Sequence, residues 1–292
     1  FDHADIFNSL EEIFETFAKV IALVKDPSQI VANGDDKNVV KLLKEMGIYH
    51  KVLLTSTNPQ HKSAKILGAP FSKDSKAIER PMWKTKIQTP YWGTLNLTCP
   101  MMGNHNLANL TQTVGLLSLL SQTSEGAQLT PSRTIDALKS FQGVRRRLDI
   151  IGSQGDIFLY EDFAHHPTAV KHVIQSYKKN YPERRLLIAF EPKNATSRRN
   201  IFTSQYGEAF ALADLVALAS PLDDRRVAPE DKMDIKKIAE ALPNKAFCFE
   251  THGLIKKWLV DNLKPKDTVI FMSCGSFSNI AQTTLTSLTN QV

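Results

Sequence analysis

Apolar positions first recur at helical spacing. Ile13, Phe14, Phe17, Val20, Ile21 and Val24 share one face, and Ser9 with Glu12 three residues on supplies a start signal, so residues 9–24 are expected to be helical. Gln29–Ala32 reads as a buried strand ending in the polar turn Asn33-Gly34-Asp35-Asp36. Lys37–Met46 reads as a helix stopped by Gly47, and Lys51–Thr55 as a second short strand. Residues 56–80 are polar and irregular, and no element is expected there. Ile87–Cys99 alternates weakly around Gly93, as a pair of antiparallel strands does. Asn106–Gln122 carries a strong apolar stripe, and a shorter helix is expected after Thr130-Pro131, where Thr caps and Pro occupies the first turn.

The rhythm changes near residue 145. Arg147–Ile151 and Ile157–Tyr160 suggest a hairpin around residues 152–156, and a helix begins at Pro167. Strands Leu186–Phe190, Leu215–Ala219, Ala246–Phe249 and Thr268–Met272 then alternate with helices Ser204–Leu212, Met233–Leu242 and Leu254–Leu263, and a last helix runs from about Asn279. Strands alternating with helices imply a parallel sheet covered on both faces, so an α/β fold with a Rossmann-like second half is expected.

Composition narrows the function classes. Hydrophobic residues make up 42% of 292, enough for real cores, and the longest apolar run, Leu116–Leu120, is far too short to span a bilayer. Three cysteines without metal-ligand spacing fit a reducing cytosol better than a disulfide framework. The formal net charge of +6 suits either nucleic acid or a substrate rich in phosphates and carboxylates. Apart from Arg145–Arg147 the cations are dispersed and not interleaved with aromatic residues, which argues against a nucleic-acid platform.

Several polar clusters sit where the pattern places element ends. Asp2-His3-Ala4-Asp5 precedes a helix and can hold a divalent cation or simply satisfy the helix start. His105, Asn106 and Asn109 open the long helix; the amides can match the donor–acceptor edge of a purine, or cap the helix. Arg145-Arg146-Arg147 can contact phosphate or form a solvated charge run. Glu161-Asp162-Phe163-Ala164-His165-His166-Pro167 lies between a strand end and a helix start, where ligand sites of α/β folds gather. Two adjacent histidines suggest metal, but consecutive side chains diverge and no third ligand is evident. Glu191–Asn200, with Lys193, Asn194, Arg198 and Arg199, offers cations to an anionic ligand, and Ser273-Cys274-Gly275-Ser276-Phe277-Ser278 is a small-residue turn into a helix.

Taken in order, Asp2-His3-x-Asp5, Gly103-x-His105-Asn106-x-x-Asn109, Phe141-x-Gly143-x-x-Arg146-Arg147 and Asp162-Phe163-Ala164-His165-His166-Pro167 resemble the Mur ligase family over essentially the whole chain. The resemblance implies a partial mononucleotide-binding central domain over residues 1–144 and a Rossmann-like C-terminal domain over 145–292. It implies ATP and Mg²⁺ as cofactors. His3 matches the histidine that helps hold Mg²⁺, and His105, Asn106 and Asn109 match the adenine-side motif. Arg147, beside Arg146, matches the arginine at the γ-phosphate, and Asp162 the ribose-binding acid. His165, His166, Asn194, Arg198 and Arg199 are expected to face the other substrates. Glu161–Val170 and Phe190–Phe202 point to the members that join L-Ala-γ-D-Glu-meso-diaminopimelate to UDP-N-acetylmuramate during peptidoglycan recycling. The L-alanine-adding members and a non-catalytic nucleotide-binding module stay open. The family's Gly-x-x-Gly-Lys-[Ser/Thr] loop does not occur in the chain, so a piece of a longer enzyme, inactive alone, is expected. In the last turn, Cys274 and Ser276 stand where relatives often carry Gly or Asn.

Overall fold

The computed structural model describes residues 6–7, 9–74, 81–194, 197–221 and 232–290. The Asp2–Asp5 motif, His3 included, lies outside them. The chain divides into two compact units at Gln142/Gly143.

In the first unit, helix α1 (Leu10–Ile21) starts where Ser9 Oγ accepts the Glu12 N–H at 3.2 Å. Strand β1 (Val31–Asn33), helix α2 (Lys37–Glu45), β2 (Leu53–Ser56), β3 (Ile66–Gly68), β4 (Ser72–Lys73), β5 (Trp83–Thr89) and β6 (Gly93–Cys99) follow, then α3 (Asn104–Leu120) and α4 (Pro131–Ser140). The strands form one sheet in the order β1-β2-β3-β5-β4, with β6 on β5. The first three are parallel, whereas β5 is antiparallel to β3, β4 and β6. Alternation sorts the core: Leu53, Ile66 and Ile87 pack under Leu110 and Val114 of α3, while Ala32 and Leu54 face Leu43 of α2 and Ile21 of α1.

Strands β3 and β4 fall in the stretch expected to be irregular. At three and two residues they are too short to show a period of two, and their pairing with β5 is what makes them strands. Strand β5 also begins four residues before the expected start, its burial alternating from Trp83 onward.

The second unit opens with the hairpin β7 (Asp149–Gln154) and β8 (Ile157–Asp162); β8 begins at Ile157 as expected, whereas β7 runs on past Ile151 because Gln154 pairs with Ile157 across a tight turn. Then come α5 (Pro167–Asn180), β9 (Arg185–Phe190), α6 (Thr203–Phe210), β10 (Leu215–Ala219), α7 (Ile235–Glu240), β11 (Ala246–Phe249), α8 (His252–Asn262), β12 (Asp267–Met272) and α9 (Ile280–Thr289). The sheet order is β11-β10-β9-β12-β8-β7, parallel from β11 to β8 and antiparallel only at β7. This is the Rossmann-like sheet the alternation predicts.

Helices cover both faces. Leu187, Ala189, Val269 and Phe271 pack against Ile255 and Leu259 of α8 and Ile280 and Ala281 of α9. On the other face Phe190 meets Tyr206 and Phe210 of α6, and Thr268 bonds Tyr177 of α5 at 2.6 Å. At the opposite end of the strands, buried Arg184 donates to Asp156 Oδ1 at 2.7 Å and to the Asp267 carbonyl at 2.9 Å, and Arg185 grips Asp267 with two nitrogens. Among the described residues no helix is long and apolar enough to cross a membrane.

The seat of α3 depends on a missing side chain. A Cβ on Gly115 would stand 2.6 Å from Ile66 Cδ1 and 3.2 Å from its Cγ2, with Ile66 fully buried in β3. Gly115→Ala is therefore expected to cost about 1–3 kcal/mol, the usual scale of overpacking. A lower urea midpoint at unchanged slope is the readout; an unchanged midpoint would show that Ile66 can move aside.

Candidate functional site

In the first unit the candidate residues open α3. Gly103 precedes the helix with φ of +93°, a conformation that excludes most side chains, and no side chain caps the helix. Neither asparagine acts as the cap. Asn106 instead donates its amide to the Met102 carbonyl at 2.8 Å, and Asn109 and His105, four apart, are exposed on one side of the first turns. The structure thus keeps the three expected residues together and presents two of them to solvent.

The second unit gathers its candidates at the carboxyl ends of β8, β9 and β12. Asp162 ends β8 and is 3% exposed. Its Oδ2 accepts the Leu148 N–H and its Oδ1 the Ala164 N–H, both at 2.7 Å. Burial pushes its carboxyl above the ordinary value, opposed by these two hydrogen bonds and by the charges of Arg147 and Arg146. It therefore ties the strand end to the segment before β7.

Arg146 and Arg147 part company. The Arg146 guanidinium donates to the carbonyls of Ser273 and Gly275, so it clamps the turn after β12. Both contacts are made by Nη2, so that nitrogen of Arg146 serves the scaffold. Arg147 is exposed, and both guanidiniums lie 5.2 Å from the centre of the Phe163 ring. Phe163 in turn donates its N–H to the Arg146 carbonyl at 2.7 Å.

The two histidines use different partners. His165 Nδ1 lies 2.9 Å from the Phe163 carbonyl, and the His165 carbonyl accepts the Tyr206 hydroxyl. His166 caps α5 by accepting the Thr168 N–H at 3.2 Å, and its ring packs edge-on to Phe202. Asn194 Oδ1 accepts the Ser197 N–H at 2.7 Å, closing an internal turn. Arg198 is half-buried and Arg199 forms a backbone bridge with Lys232. Among the described residues no three His, Cys, Asp or Glu side chains converge as a metal site, and His3 lies outside those residues.

The two loop segments singled out after β9 and β12 meet at this edge, and His252, which the sequence reading missed, joins them. Glu191, 1% exposed, follows β9 and accepts the Ser273 hydroxyl at 2.6 Å; Ser273 Oγ in turn accepts the Gly275 N–H at 2.9 Å. His252, which opens α8, places Nε2 3.3 Å from Glu191 Oε1 and Nδ1 2.8 Å from Ser278 Oγ. An acid directly after the apolar run Leu186–Phe190 is a visible signal for Glu191; His252, 61 positions later, has none. Burial pushes the Cys274 thiol up, with Glu191 adding to the effect and Arg146 and Arg198 opposing it.

Known proteins match along the whole chain. The Mur ligase middle domain matches residues 1–117, and the Mur ligase glutamate ligase domain matches residues 146–275. UDP-N-acetylmuramate–L-alanyl-gamma-D-glutamyl-meso-2,6-diaminoheptandioate ligase of Escherichia coli K12 is 26% identical over 99% of the chain and 57% of its own length. UDP-N-acetylmuramate–L-alanine ligase of Clostridium botulinum strain Hall is 25% identical over 96% of the chain and 58% of its own length. The chain thus spans little more than half of these relatives. Solved structures share the fold: the UDP-N-acetylmuramate-alanine ligase MurC of Thermotoga maritima (TM-score 0.70, 18% identity, 98% of the chain, 56% of the other) and a murein peptide ligase of Psychrobacter arcticus (0.64, 22%, 98% and 56%).

Asp162 yields a test. Because its folded carboxyl holds a proton more tightly than the unfolded chain does, its contribution to stability is present below the ordinary carboxylate value and is lost as pH rises through the raised one. Asp162→Asn should remove that decline. It also turns an NH₂ toward one of two backbone donors, at a cost of about 1–3 kcal/mol at pH 7. Urea unfolding between pH 3 and 8 reads both effects; an unchanged pH profile would mean that Asp162 titrates normally.

Proposed function

The chain belongs to the Mur ligase family, and we propose that it supplies most of the working machinery of an ATP-dependent ligase that joins L-Ala-γ-D-Glu-meso-diaminopimelate to UDP-N-acetylmuramate in the cytoplasm, for peptidoglycan recycling. The match over 99% of the chain to the Escherichia coli ligase named for that reaction carries the proposal. The L-alanine-adding ligase is the second reading, favoured by a match of nearly equal identity.

On this reading the exposed Asn109 and His105, with Asn106 beside them, take the adenine. The amides offer both donor and acceptor to its edge, and the first-turn N–H groups of α3, free of any side-chain cap, leave the neighbourhood favourable to negative charge. ATP would supply the phosphoryl group that activates the muramyl carboxylate. Arg147 would contact the γ-phosphate: it is exposed, always charged, and steadied by Phe163. Arg146 would act through the 273–275 turn it holds. Asp162 keeps lone pairs beyond its two backbone contacts, enough for a ribose hydroxyl if the edge opens to it. Arg198 and Arg199, with His165 and His166, would face the peptide and the sugar nucleotide, while Asn194 shapes their loop. Magnesium, implied by the family and expected at His3, finds no group of ligands among the described residues, and no step is derived through it.

Two measurements test the reading on a full-length protein carrying this chain. Phosphate release should require ATP, UDP-N-acetylmuramate and the tripeptide together; release with L-alanine in place of the tripeptide would choose the second reading. No release with either nucleophile would leave a nucleotide-binding module. Arg147→Ala should lower kcat by about 10²–10³, as loss of a charge-stabilising donor does, while ATP affinity changes little. A kcat within twofold of the parent would remove Arg147 from the reaction.

A further inference from the structure

Three side chains of the second unit, to which the ligase reading gives no part, stand in a row. Glu191 follows β9, His252 opens α8, and Ser278 lies between β12 and α9. Glu191 is 1% exposed; its Oε2 accepts the Ser273 hydroxyl, while its Oε1 accepts no hydrogen bond from the described residues. His252 Nε2 stands 3.3 Å from that free oxygen, and His252 Nδ1 stands 2.8 Å from Ser278 Oγ. The imidazole is held edge-on to Phe277, with ring centres 4.9 Å apart. The Lys193 ammonium also faces Glu191 Oε1, at 3.7 Å, its stem lying against Gly275.

Acid, imidazole and hydroxyl in series are the parts of an activated serine nucleophile. The Glu191 carboxylate favours the imidazole tautomer with its proton on Nε2, which leaves the Nδ1 lone pair for the Ser278 hydroxyl. Ser278 is exposed and holds φ of +50° and ψ of +30° in the turn from strand to helix. A strained strand-to-helix turn is how a nucleophilic serine is lifted clear of its neighbours. Helix α9 begins two residues later with no side-chain cap, so its electropositive end starts next to the hydroxyl in the chain.

We propose that this row is an acyl-transfer site that cleaves small carboxylic esters, with Ser278 as nucleophile, His252 as its base and Glu191 as the residue that orients the imidazole. Ser278 Oγ bonds the ester carbonyl carbon as its proton passes to His252 Nδ1. The tetrahedral intermediate breaks its bond to the alkoxy oxygen, which leaves with that proton as the alcohol. Water, deprotonated by the same imidazole, then attacks the acyl-serine, freeing the carboxylic acid and restoring the hydroxyl. An exposed serine suits an ester, whose leaving group departs more readily than an amine. All three residues lie in the second unit, so the site does not depend on the ligase reading.

A fluorophosphonate probe and p-nitrophenyl acetate test this on the full chain. The probe should phosphonylate Ser278 with loss of fluoride, as mapped by peptide mass spectrometry, and the ester should be hydrolysed. Ser278→Ala should abolish both reactions, whereas Ser276→Ala in the same turn should leave both unchanged. His252→Gln keeps a polar partner for the hydroxyl but is no base, and should slow both by about 10²–10⁴. Glu191→Gln should lower kcat for the ester at least about tenfold at unchanged KM, because it disturbs the imidazole and not the binding of the ester. If these contacts only hold the turn, the His252 and Glu191 variants lower the melting temperature and leave the rates of the folded protein unchanged. That result, no labelling of the parent, or labelling at another residue overturns the proposal.

Discussion

The second unit depends on how β12 ends. The strand is buried along its whole length between β8 and β9, and its successor Ser273 is 2% exposed, so polar atoms at this end cannot turn to water. They are satisfied by neighbouring strand ends. The Ser273 N–H donates to the Asp162 carbonyl at 3.1 Å, the Ser273 hydroxyl donates to Glu191, and the Glu191 N–H donates to the Met272 carbonyl at 3.0 Å. Three strands are thereby tied at the edge where ligands of such sheets bind. Two of the ties are backbone to backbone, and the third uses the Glu191 carboxylate.

This explains why adjacent arginines differ. A chain segment entering before β7 must be fastened to the ends of β8 and β12, and Arg146 does so through two carbonyls while Asp162 takes the Leu148 N–H. Arg147, one residue along, is exposed, with its guanidinium beside the Phe163 ring. The sequence shows only a run of three arginines. Arg146 and Leu148, on either side of Arg147, both take positive φ, a backbone feature that no residue type announces.

Legibility followed the length of the pattern. Long, regular signals such as the α3 stripe and the β9–β10–β12 apolar runs placed the core and the Rossmann-like order, since burial on both faces of a parallel sheet requires them. Strands β3 and β4 were invisible because pairing, not periodicity, creates them. The candidate residues His105, Asn106, Asn109, Arg147 and Asp162 all stand at helix starts, strand ends or the entry to a strand, and position along the chain is what the sequence shows of them. The contacts among Glu191, Ser273 and His252 were not legible, because these residues meet only after the β9–α6–β10–α7–β11–α8–β12 path has closed. Asn194 and His166 show the converse. Both look like ligand groups in the sequence, and each gives one atom, Asn194 Oδ1 and His166 Nδ1, to a backbone N–H of its own turn.

The turn after β12 carries the clearest internal tension. Phe277, Ser278 and Asn279 all have positive φ, and none is glycine. Each such residue costs about 1–2 kcal/mol relative to right-handed backbone, with Asn the least penalised. A free loop would relax. This one is held from four sides: Arg146 on the carbonyls of Ser273 and Gly275, Glu191 on Ser273, His252 on Ser278, and the Phe277 ring, 4% exposed, edge-on to His252 and Phe271. Strain that survives under so many constraints selects one conformation rather than many. A turn fixed in this way gives Gly275 a constant position, and with it the Lys193 stem that lies across it. The buried carboxylate, the strained turn and the histidine between them are therefore one arrangement, and the physical demand that produces all three is the closure of polar atoms at the buried end of β12.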